Sequence, residues 1–191
     1  MQPRWDGALV PRMTRRWTIL AALFGLALSA CGGTEADVDT ADEAVEHPAA
    51  WVSTGVYRGS RPDDAQMRRV KSLGVRAVLN LENSSSAISR DRALAQKYGL
   101  KFISEPMDGF AYPNDAQVNR IVAYLKQRPD GYVFVHCHHG EDRTGLIIAL
   151  HRIFNQGWTV KRARQEMLDK GFHRSLFLLY QYFKDKTGYD D

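Results

Sequence analysis

One short stretch of the chain combines the residue types that covalent phosphate chemistry requires. Cys137 and Arg143 are separated by five residues, and Gly140 lies between them. Apolar and aromatic residues fill positions 132–135 before this stretch, and an apolar run follows it at 146–150. This order of hydrophobic and polar segments predicts a buried strand, a tight loop and a buried helix.

A loop between a strand and the first turn of a helix can hold an anion. Its backbone N–H groups point into a concave surface at the positive end of the helix dipole, which suits a phosphate-sized group. The same electrostatic field favours the thiolate form of Cys137, which is the nucleophilic form. The planar guanidinium of Arg143 can bind two phosphate oxygens at once. The stretch therefore predicts covalent phosphoryl transfer.

The loop resembles the signature of the cysteine-based protein tyrosine and dual-specificity phosphatases in its pattern His136-Cys137-x5-Arg143-Thr144-Gly145. The resemblance implies that Cys137 attacks phosphorus and carries a phosphocysteine intermediate. It also implies that Arg143 binds the equatorial phosphate oxygens and that the Thr144 hydroxyl helps the thiolate leave. His136 would tune the thiolate from outside the pocket. The implied reaction is hydrolysis of a phosphomonoester without a metal or cofactor.

The remaining residues of the loop are expected to surround the bound phosphate together with Arg143. They are His138, His139, Gly140, Glu141 and Asp142. No spacing of cysteine, histidine and acidic residues in the chain predicts a metal site. Three alternatives stay open: a cysteine that is only a small core residue, a sulfur-transfer loop of the rhodanese type, and a phosphate-binding module without turnover.

The leaving oxygen needs a proton, and the intermediate then needs a base that activates water. One carboxylate on a mobile loop can do both. Asp108 is the first candidate, because it follows a predicted strand 29 residues before Cys137, about where the family places its acid. Asp142 is the alternative, because an aspartate before the arginine resembles the loops of myotubularin-type lipid phosphatases. Asp115 is a weaker candidate, since it is expected to cap the following helix.

Strands alternate with helices along the chain, which predicts an α/β fold. The fold should have a mainly parallel central sheet of four to five strands flanked by helices. The order resembles the small dual-specificity phosphatase domain over residues 55–185. Residues 57–62 and 73–81 further resemble the atypical branch of bacteria, fungi and plants. Predicted strands cover 56–59, 75–81, 100–103 and 132–136, and predicted helices cover 62–73, 88–98, 115–127, 145–155, 160–170 and 176–186.

The first 50 residues predict export and a membrane anchor. Residues 1–31 have basic, apolar and small-residue regions in the order of a lipoprotein signal peptide that ends at Cys31, the residue expected to be acylated. An ordinary cleaved signal and a retained anchor are the alternatives. Residues 32–50 predict an acidic disordered tether, and residues 51–191 the catalytic domain. The expected location is the periplasmic side, with the outer membrane favoured.

The formal charge of +4 is unevenly distributed, because residues 1–31 carry +3, residues 32–50 carry −6 and residues 51–191 carry +7. A basic domain suits anionic substrates and lipid head groups. No nucleic-acid motif accompanies the charge. The expected substrate is a phosphorylated protein or, alternatively, a phosphoinositide or other phosphorylated small molecule. The domain is expected to be a monomer.

Two further expectations concern side chains around the loop. Arg61 is expected either to contact the anion or to pair with Asp63 or Asp64. Five aromatic residues are expected to lie mainly in the core: Phe110, Tyr112, Tyr180, Tyr182 and Phe183.

Overall fold

The computed structural model describes residues 50–190, so the predicted signal peptide, Cys31 and nearly all of the predicted tether lie outside the described residues. The elements in chain order are β1 Ala50–Ser53, β2 Val56–Gly59, α1 Asp64–Ser72, β3 Val75–Asn80, α2 Ser85–Lys97, β4 Lys101–Ser104, α3 Asp115–Gln127, β5 Tyr132–His136, α4 Asp142–Gln156, α5 Val160–Asp169 and α6 Phe177–Thr187. Within this range no helix combines the length and the apolar character that crossing a bilayer requires.

The five strands form one sheet in the order β1-β2-β5-β3-β4. β5 lies at the centre and pairs in parallel with β2 and β3, while β4 pairs in parallel with β3. β1 is antiparallel to β2 at one edge. The predicted α/β fold with a mainly parallel sheet is therefore confirmed, and the loop after β5 lies at the carboxyl edge, where such sheets place ligands.

The two faces of the sheet pack against different sets of helices. On one face Val133 and Val135 join the larger core cluster, which includes residues of α3 to α6. On the other face Phe134 joins a smaller cluster with Met67 and Val70 of α1 and Ala95 of α2. Successive residues of β5 therefore point into different cores, as the period of two in a strand requires.

Two differences from the predicted elements matter for the site. β1 was not predicted, because four residues that lie at an edge and are partly exposed give little periodicity. α4 begins at Asp142 rather than at residue 145, because polar residues are common in the exposed first turn of a helix. Arg143 and Thr144 therefore belong to the helix, close to its positive end.

Candidate active site

The carbonyl groups of the loop after β5 are held on its outer side. The backbone N–H of Leu81 donates to the His136 carbonyl at 2.9 Å, and the backbone N–H of Arg61 donates to the His138 carbonyl at 2.9 Å. The His136 ring donates to the Cys137 carbonyl at 3.2 Å, and the Arg58 guanidinium donates to the Gly140 carbonyl at 2.6 Å. In a trans peptide the N–H of the next residue points away from the carbonyl. The fixed carbonyls thus turn the N–H groups toward the inside, which is the arrangement that the predicted anion cradle requires.

Gly140 is the position in this loop that excludes a side chain. Its φ is +77°, and a Cβ atom built there would lie 2.3 Å from the carbonyl oxygen of Gly59. Both the left-handed backbone and the contact with the end of β2 require glycine. The cradle is therefore packed directly against the neighbouring strand.

Cys137 lies at the floor of the cradle and its side chain is buried. The ring of His136, directly before it, is fully buried and stacks on Phe134 with a centroid distance of 5.4 Å. Burial lowers the pKa of His136, and the charge of Asp91 only partly offsets this effect. Because a carbonyl oxygen only accepts, Nδ1 of the neutral ring donates to the Cys137 carbonyl. The His136 ring therefore acts on the loop through its hydrogen bond to the backbone carbonyl of Cys137.

Arg143 lies at the rim of the cradle in the first turn of α4. Its Nη1 donates to Asn83 Oδ1 at 3.2 Å, to the carbonyl of Met107 at 3.2 Å and to the carbonyl of Leu81 at 3.3 Å. In the described residues its Nε and Nη2 have no hydrogen-bond partner. The guanidinium is thus anchored through one nitrogen, and two nitrogens can bind an oxyanion.

Asp108 lies in the segment between β4 and α3, next to Arg143. Met107 contacts Arg143 through its carbonyl, and the Cβ position of Gly109 lies 3.9 Å from Arg143 Nε. The exposed carboxylate of Asp108 accepts the N–H of Phe110 at 2.8 Å. The structure therefore brings the segment with the first acid candidate over the arginine, with the carboxylate turned back onto its own loop.

A cavity of about 350 Å³ borders the phosphate loop and the start of α4. Its lining residues are Gly109, Phe110, His138, His139, Asp142, Arg143, His173, Ser175 and Leu176. Phe110 is 81% exposed and Tyr112 is 45% exposed, so the expectation that the five aromatic residues lie mainly in the core is wrong for these two. Tyr180, Tyr182 and Phe183 are buried as expected. Phe110 gives the mouth of the cavity an apolar wall.

His138 and His139 lie side by side at this mouth. Their rings stack with a centroid distance of 4.1 Å, and both side chains are exposed. Partial burial and the neighbouring His139 lower the pKa of His138. His138 therefore contributes a neutral imidazole near pH 7, which can donate or accept one hydrogen bond.

Asp142 and Asp115, the alternative acids, are both bonded to residues outside the cradle. Oδ1 of Asp142 accepts the backbone N–H of His173 at 2.8 Å and lies 3.1 Å from His173 Nδ1. Asp115 pairs with Lys186 of α6 at 2.6 Å. The cap of α3 is Asn114, whose side chain accepts the Gln117 N–H, so the capping assignment to Asp115 was wrong by one residue.

A buried charged network supports the cradle from behind. Arg61 donates two hydrogen bonds to Glu82, at 2.6 and 2.7 Å, and not to Asp63 or Asp64 as expected. This pairing raises the pKa of Arg61. Burial works against the ionised form of Glu82, but the hydrogen bonds from Arg61 together with the electrostatic effects of Arg61, Arg143 and His136 outweigh it, and the pKa of Glu82 is lowered. The ion pair thus holds the segment whose N–H binds the His138 carbonyl.

Two groups of side chains within the described residues have atoms close enough to share a metal ion. They are Glu82 with Asp91 and His136, and Glu141 with Asp142 and His173. The carboxylates of three of these residues already have partners: Arg61 for Glu82, Arg90 and Asn80 for Asp91, and His173 for Asp142. The arginines therefore compensate the two acids of the first group, whereas Asp142 in the second group is bonded to His173.

Sequence reasoning missed Arg58, Glu82 and the segment of residues 170–176 before α6. Arg58 is buried in β2, and burial lowers its pKa. The sequence did give one signal for Glu82, because a polar residue at the carboxyl end of a predicted parallel strand lies at the ligand edge of the sheet. No comparable signal marks the segment before α6.

Comparison with known proteins identifies the family. A family model described as a polymorphic toxin system DSP-PTPase phosphatase matches residues 52–156. The dual specificity protein phosphatase TpbA of Pseudomonas aeruginosa is 29% identical over 167 residues, covering 81% of this chain and 72% of TpbA. The crystal structure of a Cys-to-Ser variant of TpbA in complex with pTyr gives 27% identity and a TM-score of 0.60, covering 69% of this chain and 80% of that one.

A more distant structure shares the fold. The core catalytic domain of the PP-IP phosphatase SIW14 from S. cerevisiae gives a TM-score of 0.62 at 18% identity, covering 73% of this chain and 88% of that one. The family model spans more than half of the 191 residues and includes the whole loop from His136 to Arg143. The chain therefore belongs to this dual-specificity and protein tyrosine phosphatase family and is a cysteine-dependent phosphatase.

Proposed function

We propose that this phosphatase hydrolyses phosphotyrosine, together with phosphoserine or phosphothreonine, in proteins through a phosphocysteine at Cys137. The observation that carries the proposal is the cradle itself. The loop carbonyls are held outward by Leu81, Arg61 and Arg58, and the buried sulfur lies at the floor. A phosphate dianion bound there would meet backbone N–H groups and the start of α4.

In the first step the Cys137 thiolate attacks phosphorus, and a sulfur–phosphorus bond forms as the ester oxygen–phosphorus bond breaks. Arg143 binds two oxygens of the transferred group through Nε and Nη2. Asp108 gives its proton to the leaving oxygen. This transfer requires the Asp108 carboxyl to leave the Phe110 N–H, so a reorientation of Asp108 accompanies the step.

In the second step water attacks phosphorus, and the Asp108 carboxylate takes a proton from it. The sulfur–phosphorus bond breaks and Cys137 leaves as a thiolate. Thr144 donates to that leaving sulfur. Its hydroxyl oxygen is buried and has no hydrogen-bond partner in the described residues, so the donor is available.

The walls of the cavity favour an aromatic phosphoester. Phe110 and Leu176 line it on two sides, and burying an aromatic ring against apolar side chains is favourable. TpbA, the relative with 29% identity, is a dual specificity protein phosphatase, and its Cys-to-Ser variant binds pTyr. Phosphotyrosine is therefore the first substrate to test.

A phosphoinositide or another phosphorylated small molecule is the second candidate. It is favoured by the +7 charge of residues 51–191 together with the exposed apolar residues near the mouth, Phe110 at 81% and Phe177 at 66%. A basic domain with exposed apolar side chains suits an anionic lipid interface.

The location is a further part of the proposal. Residues 1–31 act as a lipoprotein signal peptide, Cys31 carries the lipid, and residues 32–50 hold a monomeric catalytic domain away from the outer membrane on its periplasmic side. Replacement of Cys31 by Ala should abolish fatty-acid labelling and release the protein from the membrane fraction. Unchanged labelling in that variant would reject the anchor.

The test of the activity is a comparison of phosphate release from matched substrates. The full chain is assayed with reductant on a phosphotyrosine peptide, its phosphoserine counterpart, a phosphoinositide in vesicles and a soluble inositol phosphate, with Cys137→Ser as the blank. The proposal expects the phosphotyrosine peptide to give the highest kcat/KM. A higher kcat/KM on the phosphoinositide would replace it with the second candidate.

A further inference from the structure

The acidic pair at the end of the phosphate loop contacts the segment of residues 170–176, which connects α5 to α6. Asp142 is only 16% exposed, and its Oδ1 accepts the backbone N–H of His173 at 2.8 Å and lies 3.1 Å from the His173 ring. Glu141 packs against the same segment, because a Cβ built on Gly171 would lie 3.0 Å from its side chain. The two acids thus contact neighbouring positions of one segment.

Within residues 170–176, Phe172 is fixed in the core, and the residues that follow it line the cavity. Phe172 is buried in the larger core cluster, where its ring lies 3.5 Å from the Cβ position of Gly145 in α4. His173, Ser175 and Leu176 line the cavity opposite Gly109 and Phe110. Between the buried Phe172 and the start of α6, the bonds to Asp142 fix the segment beside the phosphate loop.

We propose that Asp142 is a positioning residue for the substrate, and that it holds residues 170–176 as the second wall of the active-site cavity. Glu141 assists by filling the space beside Gly171. The inference rests on the proposed function, because the wall matters for turnover only if the cavity binds a phosphorylated substrate. It assigns to Asp142 a role different from proton donation.

Charge explains why a carboxylate suits this position. The Asp142 oxygen accepts a backbone N–H and a ring N–H from the same residue, and hydrogen bonds to an ionised acceptor are stronger than those between neutral groups. Both bonds engage this oxygen with His173, outside the cradle. The acid can therefore hold the wall while the loop binds the anion.

Two substitutions at Asp142 separate positioning from catalysis. Asp142→Asn keeps an oxygen that can accept the His173 N–H, whereas Asp142→Ala removes the acceptor. Asp130→Ala is the matched control, since Asp130 is a carboxylate bonded to Lys101 and Tyr124 in the loop before β5, at the opposite edge of the sheet. Each full-chain variant is assayed on the phosphotyrosine peptide across a pH range, and amide hydrogen exchange is followed over residues 171–176.

We expect Asp142→Ala to raise KM about tenfold with a much smaller change in kcat, because hydrogen bonds that order the wall are lost. Exchange over residues 171–176 should accelerate in the same variant. Asp142→Asn should recover most of both properties, and its pH profile should keep the shape of the parent profile. Asp130→Ala should change neither property.

Three results would overturn the inference. The first is a loss of kcat in Asp142→Asn as large as in Asp142→Ala, with loss of the alkaline limb of the pH profile, since this would make Asp142 the acid. The second is unchanged exchange in Asp142→Ala. The third is recovery of neither property by Asp142→Asn. If the parent chain shows no turnover on any substrate, the proposed function fails, and the exchange data alone decide whether Asp142 holds the segment.

Discussion

The phosphate loop and the segment that carries Asp108 differ in how the groups that would react with the substrate are held. In the phosphate loop, four carbonyls between residues 136 and 140 are bonded from β2, from the segments after β2 and β3 and from the His136 ring, and Gly140 is packed against Gly59. In the segment between β4 and α3, Met107 is bonded to Leu81 and Arg143, but Asp108 is exposed. Within residues 50–190 its carboxylate accepts a hydrogen bond from Phe110 of the same segment and from no other residue. The anion site is therefore preorganised, whereas the proton donor depends on a movement.

This difference has a physical basis in what each loop must do. Electrostatic stabilisation is most effective when the donors are already oriented and need no rearrangement during the reaction. A residue that gives a proton in one step and takes one in the next must instead approach and withdraw as the leaving group is exchanged for water. The phosphate loop then determines whether the reaction occurs, and the segment that carries Asp108 determines its rate.

The largest effect is expected at the nucleophile. Cys137→Ser should lower kcat by about four orders of magnitude or more, because an alcohol is a far weaker nucleophile than a thiolate in the same cradle. Phosphate release from the phosphotyrosine peptide measures this loss. Binding of the peptide should persist, which calorimetry on the variant can check. Turnover near the parent level would show that another residue attacks phosphorus.

The same substitution in the two loops sharpens the comparison. Gly140→Ala should lower the free energy of unfolding by at least about 2 kcal/mol, since the new Cβ meets the Gly59 backbone and the left-handed φ is strained. At Gly109 a Cβ would meet only Arg143 Nε at 3.9 Å, so Gly109→Ala is the matched control and should fold normally. Denaturant titration measures both. Equal stability of the two variants would contradict the account of a rigid cradle.

The acid loop gives a smaller and substrate-dependent effect. Asp108→Asn should lower kcat by about two to three orders of magnitude on the phosphotyrosine peptide, which is the range for loss of a general acid. The loss should be smaller with 4-nitrophenyl phosphate, because its leaving group needs less protonation. The ratio of the two losses is the measurement. An equal loss on both substrates would mean that Asp108 has a structural role.

The smallest effect concerns the buried histidine behind the cradle. Since burial lowers the pKa of His136, the unfolded chain binds a proton that the folded chain excludes as pH falls below about 6.5. Stability should therefore decrease on acidification, by at most about 1.4 kcal/mol per pH unit from this group. Denaturant titrations at pH 7.5 and 5.5 should show a weaker decrease in His136→Asn than in His173→Asn. A larger loss of stability on acidification in His136→Asn than in His173→Asn would mean that His136 is charged in the folded chain.

Much of the fold could be predicted from the chain because its buried strands are short apolar runs separated by glycine and polar segments. β5 and α3 were predicted with the bounds that the structure gives them. Edge strand β1 was not, because its pairing with β2 depends on a partner rather than on its own pattern. The start of α4 was placed three residues late, because hydrophobic periodicity does not mark a first turn built from polar residues.

The residues of the site also fall into those that could be predicted from the sequence and those that could not. Cys137, Gly140 and Arg143 could be predicted to cooperate because they lie within one short segment, the loop after β5 and the first turn of α4, so their spacing along the chain largely fixes their spacing in the structure. The contacts of Arg61 with Glu82 and of Asp142 with His173 join segments 21 and 31 residues apart. Nothing in the local sequence specifies such a pairing. Only the packing of the sheet and helices determines it.

The most direct test of the central claim is detection of the phosphoryl group on the enzyme during turnover. The full chain is mixed with the phosphotyrosine peptide, quenched within the first turnover and digested for mass spectrometry. We expect one added phosphoryl group on the fragment that contains Cys137, and none in Cys137→Ser. Turnover with a phosphoryl group on another residue, or turnover by Cys137→Ser, would contradict it.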